Sequence, residues 1–304
     1  MSFKDQLKKF VEDNPKLVSM KPAGDGIYVL KYKKKVFFDN LWNDYLEECR
    51  GTIVDADFNV VSRPFTKVYN YGIEAKAPVL APETMVSAYR KVNGFMVAMT
   101  WHNGDILVST TGSTSGDFVD MARAMMIKEQ SWANWQSAVS MNRGYTMMFE
   151  CVHPNDPHII PEDAGMYFLG WRENSWESQV NGFGFNVADH WRKFALGVLH
   201  CKYPEMIQMT VGNLVEHTKN VRHEGFVFYT AEGVSSKIKS PYYLTSKWVA
   251  RNPRTDKLVN LQNDIKHNID EEYYDLIDKI RANIVEYTAM DEQARLSWVR
   301  EQLA

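Results

Sequence analysis

The pattern of apolar and polar positions predicts mostly strands up to about residue 250 and takes a helical period after it. Phe3, Leu7, Phe10 and Val11 fall on one face of a helical wheel, so Phe3 to Val11 predicts an amphipathic helix. Gly26 to Tyr32 and Lys35 to Phe38 read as the strands of a hairpin, with Lys33, Lys34 and Lys35 as a solvated turn. Gly51 to Val61 predicts a second hairpin that turns around Asp57 to Asn59. Further strands are expected at Thr84–Tyr89, Gly94–Trp101, Asp105–Thr110, Tyr145–Val152, Met166–Arg172, Gly225–Thr230 and Ser235–Lys239. Phe118 to Lys128 and Trp132 to Met141 are expected to be helical, and Asn186 to Tyr203 is mixed, with Met209 to Thr218 after it. From Asp256 onward Leu258, Leu261, Ile265, Tyr273, Leu276, Ile277, Ile280, Ile284 and Val285 follow a near-helical spacing. The change of period, with Asn252-Pro253, sets a domain boundary near residue 250.

Composition narrows this picture modestly. At 304 residues, one large domain with a smaller appendage is the default expectation. A 45% hydrophobic and 24% charged composition is that of a globular chain, and a net charge of −3 argues against general coating of polyanions. The three cysteines, Cys49, Cys151 and Cys201, are scattered, which fits a reducing compartment without a disulfide framework or zinc knuckle. The polar start lacks the pattern of a signal peptide, and no apolar run reaches the roughly 18–20 residues of a membrane span. A soluble, cytoplasmic protein is expected.

Several short stretches could carry chemistry, and each also has an ordinary structural reading. Arg90-Lys91-Val92-Asn93-Gly94-Phe95 places a lysine between apolar, strand-prone flanks, where a strand ends and a tight turn begins. Amine nucleophiles need such a position, although a surface hairpin with a solvated lysine would look the same. Glu150 interrupts the apolar run Thr146 to Val152, and Glu224 stands at the mouth of Gly225 to Tyr229; buried carboxylates are uncommon unless partnered. Lys237 and Lys239 in Ser235-Ser236-Lys237-Ile238-Lys239-Ser240 project to one face of a strand, an arrangement that suits an intervening anion. Arg50 in Glu48-Cys49-Arg50-Gly51 and Lys67 in Arg63-Pro64-Phe65-Thr66-Lys67-Val68-Tyr69-Asn70 are cations of the kinds that hold phosphates.

Their order carries more than any one of them. E-C-R-G, R-P-F-x-K-x-x-N, K-x-N-G, an F-E strand, E-G-F-V and K-I-K-S follow one another across about residues 45 to 245. This succession resembles the covalent nucleotidyltransferase superfamily, which includes polynucleotide ligases and mRNA capping enzymes. The first two elements resemble the phage ATP-dependent RNA ligases of the tRNA-repair type.

The resemblance implies an α+β fold: an adenylyltransferase domain of antiparallel sheets with flanking helices over 1–249, and a small all-helical C-terminal domain over 250–304. It implies that Lys91 takes AMP as a phosphoramidate. A free lysine, with a pKa of about 10.4, costs about 4–5 kcal/mol to neutralise at pH 7, which burial, a divalent cation and nearby ammonium groups reduce. By the same resemblance, Lys237 and Lys239 meet the α-phosphate, Arg50 and Lys67 hold the β- and γ-phosphates, and Glu224 is directed to the metal. Glu150 meets either the ribose or the metal, and Tyr167 to Arg172 resembles a strand lining the adenine pocket. The implied cofactors are ATP and Mg2+, with Mn2+ as a substitute, and the implied partner is RNA with 5′-phosphate and 3′-hydroxyl ends, joined by a monomer in the host cytoplasm of a phage.

Three features depart from the pattern. Asn93 stands where an acid is usual, Val108 to Ser113 carries hydroxyls where a relative has a lysine, and the tail is too short for an OB domain. The short tail favours an RNA ligase over a ligase acting on DNA ends or a capping-type guanylyltransferase. A non-catalytic nucleic-acid-binding module is the contrasting reading, and it predicts binding without any covalent adenylate.

Overall fold

Ser2 starts the chain's first helix by local chemistry alone. Its hydroxyl accepts from the Asp5 backbone N–H while the Asp5 carboxylate accepts from the Ser2 N–H, a reciprocal cap for α1 (Phe3–Asp13). Leu7 and Val11 are the buried side chains of this helix, as the predicted apolar face requires. The computed structural model describes residues 1–156, 158, 160–178, 197, 199–251 and 274–303. These form two compact units: Met1–Lys67 with Val92–Pro204, and Val68–Lys91 with Glu205–Ala304.

The first unit contains two four-stranded antiparallel sheets. One has the order β1 (Val18–Pro22), β2 (Ile27–Tyr32), β3 (Arg50–Asp55) and β4 (Val60–Ser62). In the other, β6 (Phe95–His102) lies between β7 (Asp105–Ser109) and β8 (Tyr145–Val152), and β8 pairs with β9 (Gly165–Glu173). Alternation sorts the second sheet into two faces. Val97, Met99, Met147, Phe149 and Cys151 pack against Val119, Ala122, Met126, Trp135 and Val139 of helices α4 (Asp117–Glu129) and α5 (Trp132–Met141). The opposite face carries Thr146 and Glu150, and Thr146 Oγ1 accepts from the Arg63 backbone N–H and donates to Asn174. The three cysteines are free and buried.

The expected hairpin of 26–32 with 35–38 does not form. Lys34–Phe38 is a short helix, α2, and β2 pairs instead with β1 and β3. The three apolar residues Val36 to Phe38 are too few to show a period, so the sequence there does not separate helix from strand. Asp44–Glu48 forms helix α3, capped by Asn43. The hairpin across Asp57 to Asn59 is present as β3 and β4.

The second unit is built on a sheet of order β10 (Met206–Thr210), β5 (Met85–Arg90), β11 (Gly225–Tyr229) and β12 (Ser235–Lys239). Val86, Ala88, Phe226 and Phe228 point to one face and cluster with Val211 and Leu214 of helix α6 (Val211–Thr218). Helices α7 (Pro241–Arg251), α8 (Tyr274–Ala282), α9 (Ile284–Ala289) and α10 (Glu292–Leu303) follow. Of the residues at near-helical spacing, Leu276, Ile277 and Ile280 are buried, Ile284 is half-buried and Val285 is exposed. Asn252-Pro253, Leu258, Leu261, Ile265, Tyr273 and most of the mixed segment up to residue 198 lie outside the described residues. No helix among the described residues is long and apolar enough to cross a membrane.

Candidate active site

The strands flanking Lys91 belong to different sheets, β5 to one and β6 to another, so the stretch is a strand-to-strand passage and not a surface hairpin. In the second unit, residues not on the Val86–Ala88 face point the other way. Tyr89 stands opposite Val227, and Val227 opposite Lys237; Gly225 stands opposite Lys239. The ladder continues one residue beyond β5, because the Lys91 N–H donates to the Gly225 carbonyl at 2.8 Å. Lys91, Gly225 and Lys239 therefore form one row across the sheet, with Lys237 two residues along on the same face.

Gly225 makes this row possible. Its φ of +132° is a conformation L side chains rarely adopt, and a Cβ would overlap the Ile238 carbonyl and approach Lys239 Cα at 2.8 Å. The row thus has no side chain between Lys91 and Lys239. Preceding it, Glu224 is buried, and its Oε2 lies 3.0 Å from Lys91 Nζ. The Lys91 side chain as a whole is about a quarter exposed, at 26%.

His223 is a residue the sequence reading passed over. Its Nδ1 accepts from the Gly225 N–H at 3.2 Å, and burial, with the Arg90 charge nearby, holds the imidazole below its ordinary pKa. The Ser240 hydroxyl donates to the His223 carbonyl and accepts from the Tyr243 N–H, tying the Glu224 turn to the start of α7. At the other edge, Lys237 is fixed by its backbone: its N–H donates to Tyr69 and its carbonyl accepts from Tyr71. Lys239 Nζ lies over the Tyr243 ring at 5.8 Å.

In the first unit, Arg50 Nη1 donates to the Thr66 carbonyl at 2.8 Å, joining the E-C-R-G element to the residue before Lys67. Lys67 is buried, with Nζ 4.4 Å from the Trp42 ring centre and 5.9 Å from that of Phe37. That aromatic cage gave no local signal in the sequence. Glu150 Oε1 accepts from the Gly94 N–H at 3.1 Å, so the glycine of K-x-N-G and the F-E strand are in direct contact. Asn93, beside them in sequence, is buried. Of the strand Tyr167 to Arg172, Phe168 and Trp171 are core residues, while the Arg172 head group binds Glu48.

A Cβ on Gly94 would overlap the Cys151 carbonyl and come within 3.1 Å of Glu150 Cγ. Gly94→Ala is therefore expected to destabilise the fold by about 1–3 kcal/mol, the usual cost of overpacking, and to displace Glu150. A thermal melt compared with the wild type checks the first effect. An unchanged midpoint would contradict this close approach.

Among the described residues, no three His, Cys, Asp or Glu side chains gather into a preformed metal cage. Magnesium does not require one, since it commonly takes one or two carboxylates together with phosphate and water oxygens. Within the second unit, Glu224 is a buried carboxylate beside the lysine row.

The relatives bear on this geometry. A family model described as RNA ligase matches residues 48–243. RNA ligase 1 of Bacteriophage TS2126 is 25% identical over 138 residues, covering 41% of this chain and 34% of that protein. The match thus spans about a third of that relative's length. Among solved structures, a putative ATP-dependent DNA ligase from Aquifex aeolicus aligns over 98% of this chain and 78% of its own, at 14% identity and a TM-score of 0.56. An archaeal ATP-dependent RNA ligase aligns over 97% and 74%, at 12% identity and a TM-score of 0.58. Both share the α+β fold of antiparallel sheets and helices expected from the motif order. With nearly two-thirds of its length matched by the family model, from the E-C-R-G element to the end of the K-I-K-S element, this chain belongs to the RNA ligase family.

Proposed function

We propose that the protein is an ATP-dependent RNA ligase that works through a lysyl-AMP intermediate. The observation that carries this reading is a single sheet face bearing Lys91, Lys237 and Lys239 around Gly225, with Glu224 at the head of Lys91. In the first step Lys91 Nζ gives up its proton and its lone pair attacks the α-phosphorus of ATP. A P–N bond forms, the P–O bond to pyrophosphate breaks, and pyrophosphate leaves with the electron pair. The AMP then passes to the 5′-phosphate of an RNA end, restoring the amine. Attack by a 3′-hydroxyl on that activated phosphate forms the phosphodiester and expels AMP.

Lys237 and Lys239 stabilise the charge that develops on the α-phosphate. Arg50 and Lys67 hold the β- and γ-phosphates and orient the leaving group. Glu224 and Glu150 are the carboxylates for magnesium or manganese, Glu150 alternatively meeting the ribose. When bound, the metal neutralises phosphate charge and disfavours a protonated lysine beside it. The substrate in this reading is RNA with 5′-phosphate and 3′-hydroxyl ends, handled by a monomer in the host cytoplasm. Residues 1–249 serve as the adenylyltransferase domain and 250–304 as a helical C-terminal domain.

Incubation with α-labelled ATP and magnesium tests the reading. The expected product is one label per chain, released by acid as expected for a phosphoramidate and mapping to Lys91. Binding of RNA without any covalent label would instead support a non-catalytic module.

A further inference from the structure

The first unit holds a cation that the motifs leave out. Lys31, near the end of β2, stands directly opposite Arg50 of β3. The register shifts there: Leu30 faces Thr52 while Lys31 faces Arg50, so Gly51 is an extra residue in its strand. Gly51 has a φ of +101°, and a Cβ would lie 2.9 Å from Thr111 Cα. The bulge thus needs glycine, and it brings the E-C-R-G element against Thr110 and Thr111.

One face of this sheet changes character along its length. Ile27, Val29 and Ile53 form an apolar cluster packed by Leu107 of β7. Two residues beyond Val29 the same face continues as Lys31, with Arg50 opposite it. The chain leaving β7 then turns back, the Thr110 N–H donating to the Ser113 carbonyl, and sets Gly112 beside Lys31. A Cβ on Gly112 would fall 2.6 Å from Lys31 Nζ. The Lys31 ammonium therefore rests against the turn that follows β7.

Two cations directly opposite one another on adjacent strands repel. Among the described residues no carboxylate lies within ion-pair distance of Lys31 Nζ to offset this. An anion lying along the face would reverse the sign of the interaction.

We propose that Lys31 is a further ligand of the ATP β- and γ-phosphates, acting from β2 with Arg50 opposite it on β3. The inference rests on the ligase reading above.

The test measures lysyl-AMP formation against ATP concentration for wild type, Lys31→Ala, Lys31→Arg and, as a control on the same sheet, Lys21→Ala. Loss of one charge-assisted phosphate contact should raise the half-saturating ATP concentration of Lys31→Ala roughly 10- to 100-fold. Lys31→Arg should recover most of this, and Lys21→Ala should match wild type. Discharge of preformed lysyl-AMP by added pyrophosphate should slow in parallel. Sealing of a 5′-adenylated RNA, in which no pyrophosphate takes part, should be unaffected, and the melting temperature should not fall. Unchanged ATP dependence in Lys31→Ala would overturn the assignment, as would an equal loss of sealing on the adenylated RNA. Absence of lysyl-AMP in the wild type would instead remove the ligase reading, so the two failures are distinguishable.

Discussion

Lys91→Ala is expected to lose lysyl-AMP formation by at least roughly 10⁴-fold, because the variant lacks the atom that forms the bond to phosphorus. Lys91→Arg should be equally inactive. A guanidinium can keep the ion pair with Glu224, but it stays protonated and offers no free amine lone pair. Neither change should unfold the protein, since the Lys91 side chain is partly exposed and its N–H bond to the Gly225 carbonyl is a backbone bond that both variants keep. The final step does not use the amine, so both variants should still seal a 5′-adenylated RNA within about tenfold of wild type. Gel transfer of label from ATP, alongside sealing of the adenylated substrate, measures both halves. Labelling of Lys91→Ala at the wild-type level would eliminate this lysine as the nucleophile.

The parts of the fold that could be read from the sequence are those whose pattern is local. Trp132–Met141 and Tyr145–Val152 have the expected bounds, because a helical period and a long apolar run each repeat enough to be unambiguous. Lys237 and Lys239 share a face because strand alternation requires it, and the register opposite Val227 and Gly225 bears this out. The strands β1 and β10 had no such signal. Among the described residues each lies at the edge of its sheet, where a short, partly polar sequence suffices. That β5 and β6 enter different sheets was equally invisible, since strand partners are chosen by residues far away in the chain.

The same distinction runs through the candidate site. Lys91, Glu150, Glu224 and the lysine pair were legible as residue types in order. Their neighbours were not: Trp42 beneath Lys67 and Lys31 opposite Arg50 are contacts across the chain with no motif of their own, and His223, though only two residues from the Gly225 it braces, belongs to no motif either. The largest omission was Glu48. It begins the E-C-R-G element, yet what it does depends on Arg63 and Arg172, which lie 15 and 124 residues further on.

Glu48→Ala is expected to cost about 3–5 kcal/mol of stability, the penalty for leaving a buried charge without its partner. The Glu48 carboxylate receives Arg63 Nη2 at 2.8 Å and Arg172 Nη2 at 2.6 Å, and all three side chains are buried. The remaining guanidinium donors are largely satisfied by carbonyls: Arg172 by Pro64 at 3.0 Å, and Arg63 by Ser175 and by Ser178 at 3.1 Å. Arg63 also stacks over Trp176, whose indole N–H donates to the Phe58 carbonyl. Without the carboxylate, two buried guanidinium groups face each other and the whole network opens. Set against a typical total stability of roughly 5–15 kcal/mol, that loss would leave the variant marginal. Arg50 is two residues from Glu48, so its hydrogen bond to Thr66 should loosen with the network.

Acid should reproduce the loss in the wild type. Burial pushes the Glu48 carboxyl up, but Arg172 and Arg63 outweigh burial and hold it below the usual carboxylate range. A depressed folded-state pKa contributes stability that is fully present above the unfolded value of about 4.3 and is lost as pH falls through the folded one. Urea unfolding at pH 7 should therefore separate wild type and Glu48→Ala widely. The gap should narrow as the pH drops below about 4, where the unfolded carboxyl takes up its proton. Equal midpoints at pH 7 would show that this buried triad does not hold the first unit together, whereas a gap that ignored pH would show that packing, and not the carboxylate charge, is what the substitution removes.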